Sequence, residues 1–506
     1  MPVVLFMVII FLVASLRSLG GVLMPLAVIL TSVVSAFALV GWLNGSPLNT
    51  ELNSITTILP QILIAIGVAD SVHVLTSFYR AKRRGVERRE AAVYALTKNF
   101  VPTLLTSVST AIGFFAFSTA DLKPISGLGF VAGLGTMYAW FATYFVMGPL
   151  MSMFPSFVKA KKEGEYVARP TPFGLRATKA IRRYRTAIIG VYAVICLGAV
   201  FLASQVRINA DPYKYFAVGY PLREAQDFVL ENLGGVPNFE TMVDSGKEDG
   251  IKDPEFLAKV EQLEKEVVAE FDGINRSVSI VDILRQTNRS LNGGSDDFYK
   301  LPQDNELFAQ EKFLYEMSLP QGRDINNQVT IKNDALRISF ISTLSDSATW
   351  TEVAGKIEEK AKGLGLNAQV TGKSMLYQSM NGYVVESFIT SLTIAVVLIS
   401  LLLIVFFRSL RIGGIALLPN LIPLLIGGAW LKVLGVDLDI GTVLVSSVCL
   451  GIAVDDTIHI MANFNRYQQE GRSVDESVAM IISNTGPALV TTTIVLVFGF
   501  GTLAFG

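Results

Sequence analysis

Gly451-Ile-Ala-Val-Asp455-Asp456-Thr-Ile-His459 lies inside a long apolar stretch. Two adjacent carboxylates and an imidazole stand where hydrocarbon is expected, and a charge near the centre of a bilayer costs a few kcal/mol or more. At helical pitch Asp456 and His459 share a face, whereas Asp455 points about 100° away. An earlier stretch, Gly67-Val-Ala-Asp70-Ser-Val-His73, has the same form. Setting Asp70 on Asp456 sets His73 on His459, Phe78 on Phe464 and Arg80 on Arg466. The chain has 2 histidines, and both fall at this matched position. The sequence therefore reads as two copies of one membrane unit, each with a titratable pair in its core. Equivalent helices of parallel repeats meet near an axis along the membrane normal, so Asp70 is expected to face Asp456, with His459 on the same side.

Working outward, apolar runs of about 20 residues recur, each long enough to span a hydrocarbon core. The 506 residues are 51% hydrophobic, with a mean hydropathy of +0.48. The fold class is a polytopic α-helical membrane protein of about ten spans, at roughly 1–16, 21–43, 54–79, 101–119, 125–154, 186–205, 384–407, 412–434, 440–464 and 487–506. Under this reading every basic cluster falls on one side: Arg17, Lys82 to Arg89, Lys159 to Arg185, Arg408 with Arg411, and Arg466 with Arg472. That side is cytoplasmic by the positive-inside rule. Segment 206–383 is then external, or periplasmic in a bacterium with two membranes. The beginning of the chain lacks the features of a signal peptide. Cys196 and Cys449 form no readable disulfide framework or zinc site.

The repeat extends beyond its core. Arg17-Ser-Leu recurs as Arg408-Ser-Leu, Asn99-Phe-Val-Pro102 resembles Asn484-Thr-Gly-Pro487, Thr106-Ser107 recurs as Thr491-Thr492, and Gly113-Phe114 as Gly499-Phe500. Lys82 to Ala95 and Gln468 to Ile482 read as short amphipathic helices. The domains expected are a first five-helix bundle at 1–154, sterol-sensing-like in outline, a cytoplasmic linker at 155–185, a leading helix at 186–205, the external domain at 206–383 and a second bundle at 384–506. By the repeat offset, a helix and domain before Met1 and a helix after Gly506 are expected, so the chain reads as part of a longer one. Within 206–383, strands at 239–243, 276–281, 328–332, 336–341 and 367–371 alternate with helices at 254–270 and 349–364. This order suggests a ferredoxin-like α/β sandwich. The segment has no His and no Cys, and no nucleophile–base pair is readable in it.

These residues resemble the resistance–nodulation–division (RND) superfamily of transporters. Gly451 to Asp456, paired with Asp70, carries most of the likeness. The flanking Ile-His and the basic residue ten beyond each aspartate look most like the bacterial hydrophobe/amphiphile exporter branch, related to mycobacterial large membrane proteins, hopanoid transporters and Patched. Pro221 to Gly235 and Asp249 to Phe256 also resemble that branch. The resemblance implies twelve spans, two external porter domains and export driven by proton flow. Ala65 and Ala69 depart from the pattern of Gly451 and Asp455, and neither motif helix carries a lysine in its span, so a lysine relay is not carried over.

Asp70, Asp456, His73, His459 and Asp455 are the candidate proton relay, since an intramembrane ionisable group is by default a functional one. A buried polar clasp between the halves is the competing reading, and a packing histidine is a further one. Thr106, Ser107, Thr491 and Thr492 are candidate relay hydroxyls, or residues that bond their own helices. Gly67 and Gly451 are expected to serve helix packing. So are the glycines of 127–135, despite their likeness to a phosphate loop. No metal site and no cofactor beyond the proton is expected. A Walker-type motif is lacking, so ATP is not the expected energy source. The function expected is proton-motive-force-driven export of hydrophobic or lipid-like molecules across the inner membrane, not enzymatic catalysis. Expected partners are the substrate, the lipid bilayer and either a second copy or a periplasmic protein, with no nucleic acid. The alternatives are a protein-translocation accessory of the Sec type, against which Phe464-Asn-Arg466-Tyr speaks, and a sterol-sensing-like lipid-binding protein.

Overall fold

In a computed structural model, residues 2–16, 18–44, 52–53, 56–120, 122–153, 170–321 and 324–501 are described. Arg17, Asp121, most of the 44–53 loop, residue 154 and residues 155–169 of the expected linker lie outside them. The chain forms two units. One comprises Met1–Val206, Val384–Val436 and Gly441–Gly506, and the other Arg207–Tyr383 with Asp437–Ile440.

The first unit opens with α1 (Pro2–Leu16) and α2 (Leu19–Leu43). Ser18 caps α2, its hydroxyl accepting from Gly21 N at 3.0 Å, which satisfies one of the orphan donors of the first turn. Helix α3 (Leu59–Arg83) starts with Pro60 in its first turn and ends on Arg80, Lys82 and Arg83, where cations complement the helix dipole. It is the most enclosed of the candidate spans, with 83% of its apolar window buried. Helix α4 (Arg88–Ala116) runs straight from the amphipathic stretch into the expected span, with Pro102 inside it. Sequence reading separates the two; the structure merges them. Helix α5 (Lys123–Ala142) continues through a π turn, Thr143–Met147, into α6 (Gly148–Met153). Its glycines pack it onto α4: a Cβ on Gly129 would stand 2.5 Å from the Phe114 carbonyl oxygen, and one on Gly133 2.6 Å from the Phe115 ring. Helix α7 (Pro172–Ala203) is longer than the leading helix expected, because the second half of the expected linker is already helical. Ile189, Val194, Leu197 and Phe201 on it are exposed, as apolar side chains facing lipid are.

The second unit begins with α8 (Pro221–Asn232). It then builds β1 (Val236–Asp244), α9 (Pro254–Glu270), β2 (Ile274–Val278), α10 (Ile280–Leu291), α11 (Asn305–Ser318), β3 (Ala335–Ser342), α12 (Ser347–Gly363) and β4 (Asn367–Thr371). The strands form an antiparallel sheet in the order β2-β3-β1-β4. Phe239 and Trp350 stack at 5.0 Å in its core, among Leu257, Ile338 and Phe340. Two local expectations are corrected. Residues 328–332 form no strand and contribute only an isolated bridge, Val329 to Leu336. The stretch 276–281 divides, with β2 ending at Val278 and Ser279 opening α10 through a reciprocal capping box with Asp282. The Ser-x-x-Asp signature for that switch was present in the sequence. Residues 437–440 also join this unit: Leu438 bridges Ile208, and Asn209 Nδ2 donates to Asp437 Oδ2 at 2.8 Å.

The chain returns to the first unit through α13 (Lys373–Phe407), α14 (Leu410–Leu434) and α15 (Ile440–Gln469). Ser409 caps α14 as Ser18 caps α2, accepting from Ile412 N at 3.3 Å. The last two helices, α16 (Val474–Asn484) and α17 (Gly486–Gly501), meet at a bend of 46°. Among the described residues, 7 helices are long and apolar enough to cross a membrane, or 8 with the bent pair. About ten were expected. The shortfall lies at α1, with 15 residues, and α15, neither of which is among those helices.

Candidate functional site

The helices α3, α4 and α15 place the singled-out residues together. Asp70 is 3% exposed on α3. Ser107 on α4 donates to Asp70 Oδ2 at 3.1 Å. One turn further along α3, His73 stacks face to face on His459 of α15, with ring centroids 3.8 Å apart and planes at 8°. The two histidines matched by the repeat thus touch each other. Both are buried, and neither Nε2 has a hydrogen-bond partner. His459 Nε2 lies 3.4 Å from Asp455 Oδ1.

A cavity of about 20 Å³ sits beside this cluster, lined by Asp70, Thr106, Ser107, Thr110, Asp455 and neighbouring apolar side chains. It has room for a single water. Asp455, not Asp456, is the second carboxylate of this cavity, which corrects the expectation that Asp456 faces Asp70. The reason is helical: neighbours on α15 point about 100° apart, and Asp455 shares a face with His459 one full turn on. Asp456 is partly exposed and stands off the cavity.

The hydroxyls divide. Ser107 is bonded to a carboxylate, and Thr106 lines the cavity while donating to the Thr103 carbonyl at 2.9 Å. Thr492 donates to the Leu489 carbonyl at 2.9 Å and Thr491 to the Pro487 carbonyl at 2.9 Å, so both bond within their own helix. Gly451 packs α15 on α4, where a Cβ would meet Thr110 Cγ2 at 3.1 Å. Thr110 Oγ1 also donates to the Gly451 carbonyl at 3.2 Å. Gly67 lies against Ile29 of α2, where a Cβ would have ordinary contact at 3.4 Å. The sequence reading missed Thr110 and the buried pair Thr457 and Asn420, joined at 2.7 Å between α15 and α14. An asparagine in an apolar span was the signal for the latter.

His73, Asp455 and His459 bring their ligand atoms within 4.8 Å of one another. The rings lie nearly parallel, so the in-plane lone pairs of their nitrogens do not converge on one point as tetrahedral coordination requires. As arranged, the cluster can accept, hold and pass protons between carboxylate, imidazole and a water.

Residues 1–183 and 337–506 match the MMPL family. The chain is 27% identical over 323 residues to the membrane protein MJ1562 of Methanocaldococcus jannaschii, a match covering 61% of this chain and 79% of that one. It is 27% identical over 109 residues to the hopanoid transporter HpnN of Rhodopseudomonas palustris, covering 22% of this chain and 13% of the transporter. The crystal structure of SecDF in its super-membrane-facing form has a similar fold, with a TM-score of 0.53 at 13% identity, covering all of this chain and 56% of that one. With its multiple apolar helices and matches spanning most of its length, the chain is a multi-pass membrane protein that belongs to the MMPL family.

Proposed function

We propose that this protein exports hydrophobic or lipid-like molecules across the inner membrane, using inward proton flow. The observation that carries the reading is the cluster of buried Asp70, His73 and His459 with the largely buried Asp455, beside a water-sized cavity in the membrane unit. Four proton-carrying side chains in hydrocarbon are costly to retain and mark a proton path. The lipid-like substrate rests on the family and on the relative named as a hopanoid transporter. In this reading the second unit is an external, periplasmic porter domain. Its split β-α-β strand order, β2-β3-β1-β4, supports the ferredoxin-like assignment. Matched serines capping α2 and α14, and matched histidines in contact, support two parallel repeats.

The relay runs from the cavity water through Asp70 and Asp455 to the stacked imidazoles, with Ser107 orienting Asp70. The test is substrate efflux and proton flux in liposomes under an imposed pH gradient, using the natural full-length protein. Asp70→Asn and Asp455→Asn each abolish both fluxes while leaving the size-exclusion profile unchanged. Retained proton-coupled efflux in both variants rules the relay out.

A further inference from the structure

At the basic ends of α3 and α15, with Lys98 in electrostatic reach of His73 and His459, cations gather from three helices. Lys98 of α4 turns inward, half-buried, with Arg80 of α3, Arg84 just beyond its end and Arg466 of α15 in electrostatic reach. Its ammonium has two neutral partners, Ser77 Oγ at 3.5 Å and the Tyr94 ring at 6.0 Å from its centroid, and no carboxylate is paired with it among the described residues. Arg466 Nε is buried without a hydrogen bond, its carboxylate neighbour Glu470 standing 3.5 Å away. Like charges held together at reduced dielectric repel; Arg80 is held by the Asn484 carbonyl at 2.6 Å and its side-chain oxygen at 3.3 Å, whereas Lys98 meets no anion among the described residues.

An open groove of about 630 Å³ leads to the cluster, lined by Arg89, Glu90, Val93, Tyr94, Thr97, Lys98 and Arg466. The exposed side chains of Val93 and Tyr94 supply an apolar wall, and Lys98 and Arg466 supply charge at one end. We infer that this groove binds an anionic phospholipid, its phosphate between Lys98 and Arg466 and an acyl chain along Val93 and Tyr94. Basic pockets between membrane helices suit such headgroups, and a lipid satisfies both the charged end and the apolar wall. A free phosphate satisfies only the first.

The test uses the purified full-length protein in nanodiscs of phosphatidylcholine, with or without phosphatidylglycerol. Native mass spectrometry reads retained lipid, and thermal unfolding reads stability. The wild type retains phosphatidylglycerol over phosphatidylcholine on the order of tenfold or more and is stabilised by it. Lys98→Met with Arg466→Gln removes that preference. Because the variant also removes repulsion, it unfolds at a higher temperature than the wild type in phosphatidylcholine alone. Arg182→Gln, which breaks an exposed pair with Asp475 on another surface, leaves the preference intact. Unchanged preference in the double variant overturns the site. Displacement of phosphatidylglycerol by added inorganic phosphate overturns the lipid as its occupant. Neither result bears on proton-driven export, which is read by flux.

Discussion

At the scale of single residues, the site depends on which of two neighbouring aspartates enters the cavity. The presence of a buried acid was legible, because a carboxylate in an apolar run is costly to retain. The choice between Asp455 and Asp456 was not. Sequence spacing puts His459 on a shared face with either one, at i+4 or i+3, and only the rotation of α15 against α3 decides. Asp456→Asn is therefore expected to reduce efflux by less than Asp455→Asn, measured in the same liposomes. Ser107 offers a finer test. Its hydroxyl bonds Asp70 Oδ2 within the cavity wall, and removing one partner of a buried hydrogen bond costs about 1–3 kcal/mol. Ser107→Ala should lower proton flux without abolishing it, and Ser107→Thr should restore much of it. A Ser107→Ala variant with wild-type flux would show that this hydroxyl does not serve the relay.

At the scale of elements, the likeness between the two halves was legible where a short polar signal has a local cause. Ser18 and Ser409 recur because each caps the helix that follows. The bend between α16 and α17 was harder to see. Asn99-Phe-Val-Pro102 and Asn484-Thr-Gly-Pro487 look equivalent, yet α4 runs through Pro102 while the chain turns by 46° before Pro487. Thr485 and Gly486 stand where Phe100 and Val101 stand in α4. Glycine is a poor helix former, and a proline beside it removes a further backbone donor. The glycines of α5 give a packing prediction. Gly129→Ala places a methyl against the Phe114 carbonyl oxygen and the Phe117 Cβ, and backbone cannot move aside cheaply. Overpacking of this kind costs about 1–3 kcal/mol, so the variant should lose several degrees of thermal stability in detergent. Gly113→Ala, where a Cβ meets nothing within 4 Å, should be neutral.

Across the whole molecule, the two units differ in how well sequence patterns report them. Helix α9 and strand β4 have the ends expected, since capping and turn residues bound them. Helix α11, between β2 and β3, was missed because its apolar positions do not gather on one helical face and its flanks are polar. The second unit also buries an acid, on a helix that is not among the candidate membrane spans. Glu264 on α9 is 4% exposed, and burial pushes its carboxyl up to about 8 from the ordinary 4.5, against the hydrogen bond from Ser279. Between those values the folded unit holds a proton that the unfolded chain has released. Stability of this unit therefore falls as pH rises from about 4.5 to about 8, then levels off. Fluorescence of Trp350, with Trp42, Trp140 and Trp430 replaced by Phe, follows that unfolding in the full chain. Glu264→Gln should flatten the pH dependence across this window and raise the unfolding temperature at its upper end.

The stacked imidazoles also have a spectroscopic consequence. With ring planes at 8° and centroids 3.8 Å apart, each ring lies in the shielding region of the other. Selective isotopic labelling of histidine gives 2 sets of ring signals from the whole chain, both displaced upfield and each crossing to the other in through-space transfer. Any step of a working cycle that slides α15 along α3 parts the rings and returns both sets toward their free positions. The pair is thus a built-in ruler for relative motion of the two helices, legible without attaching a probe.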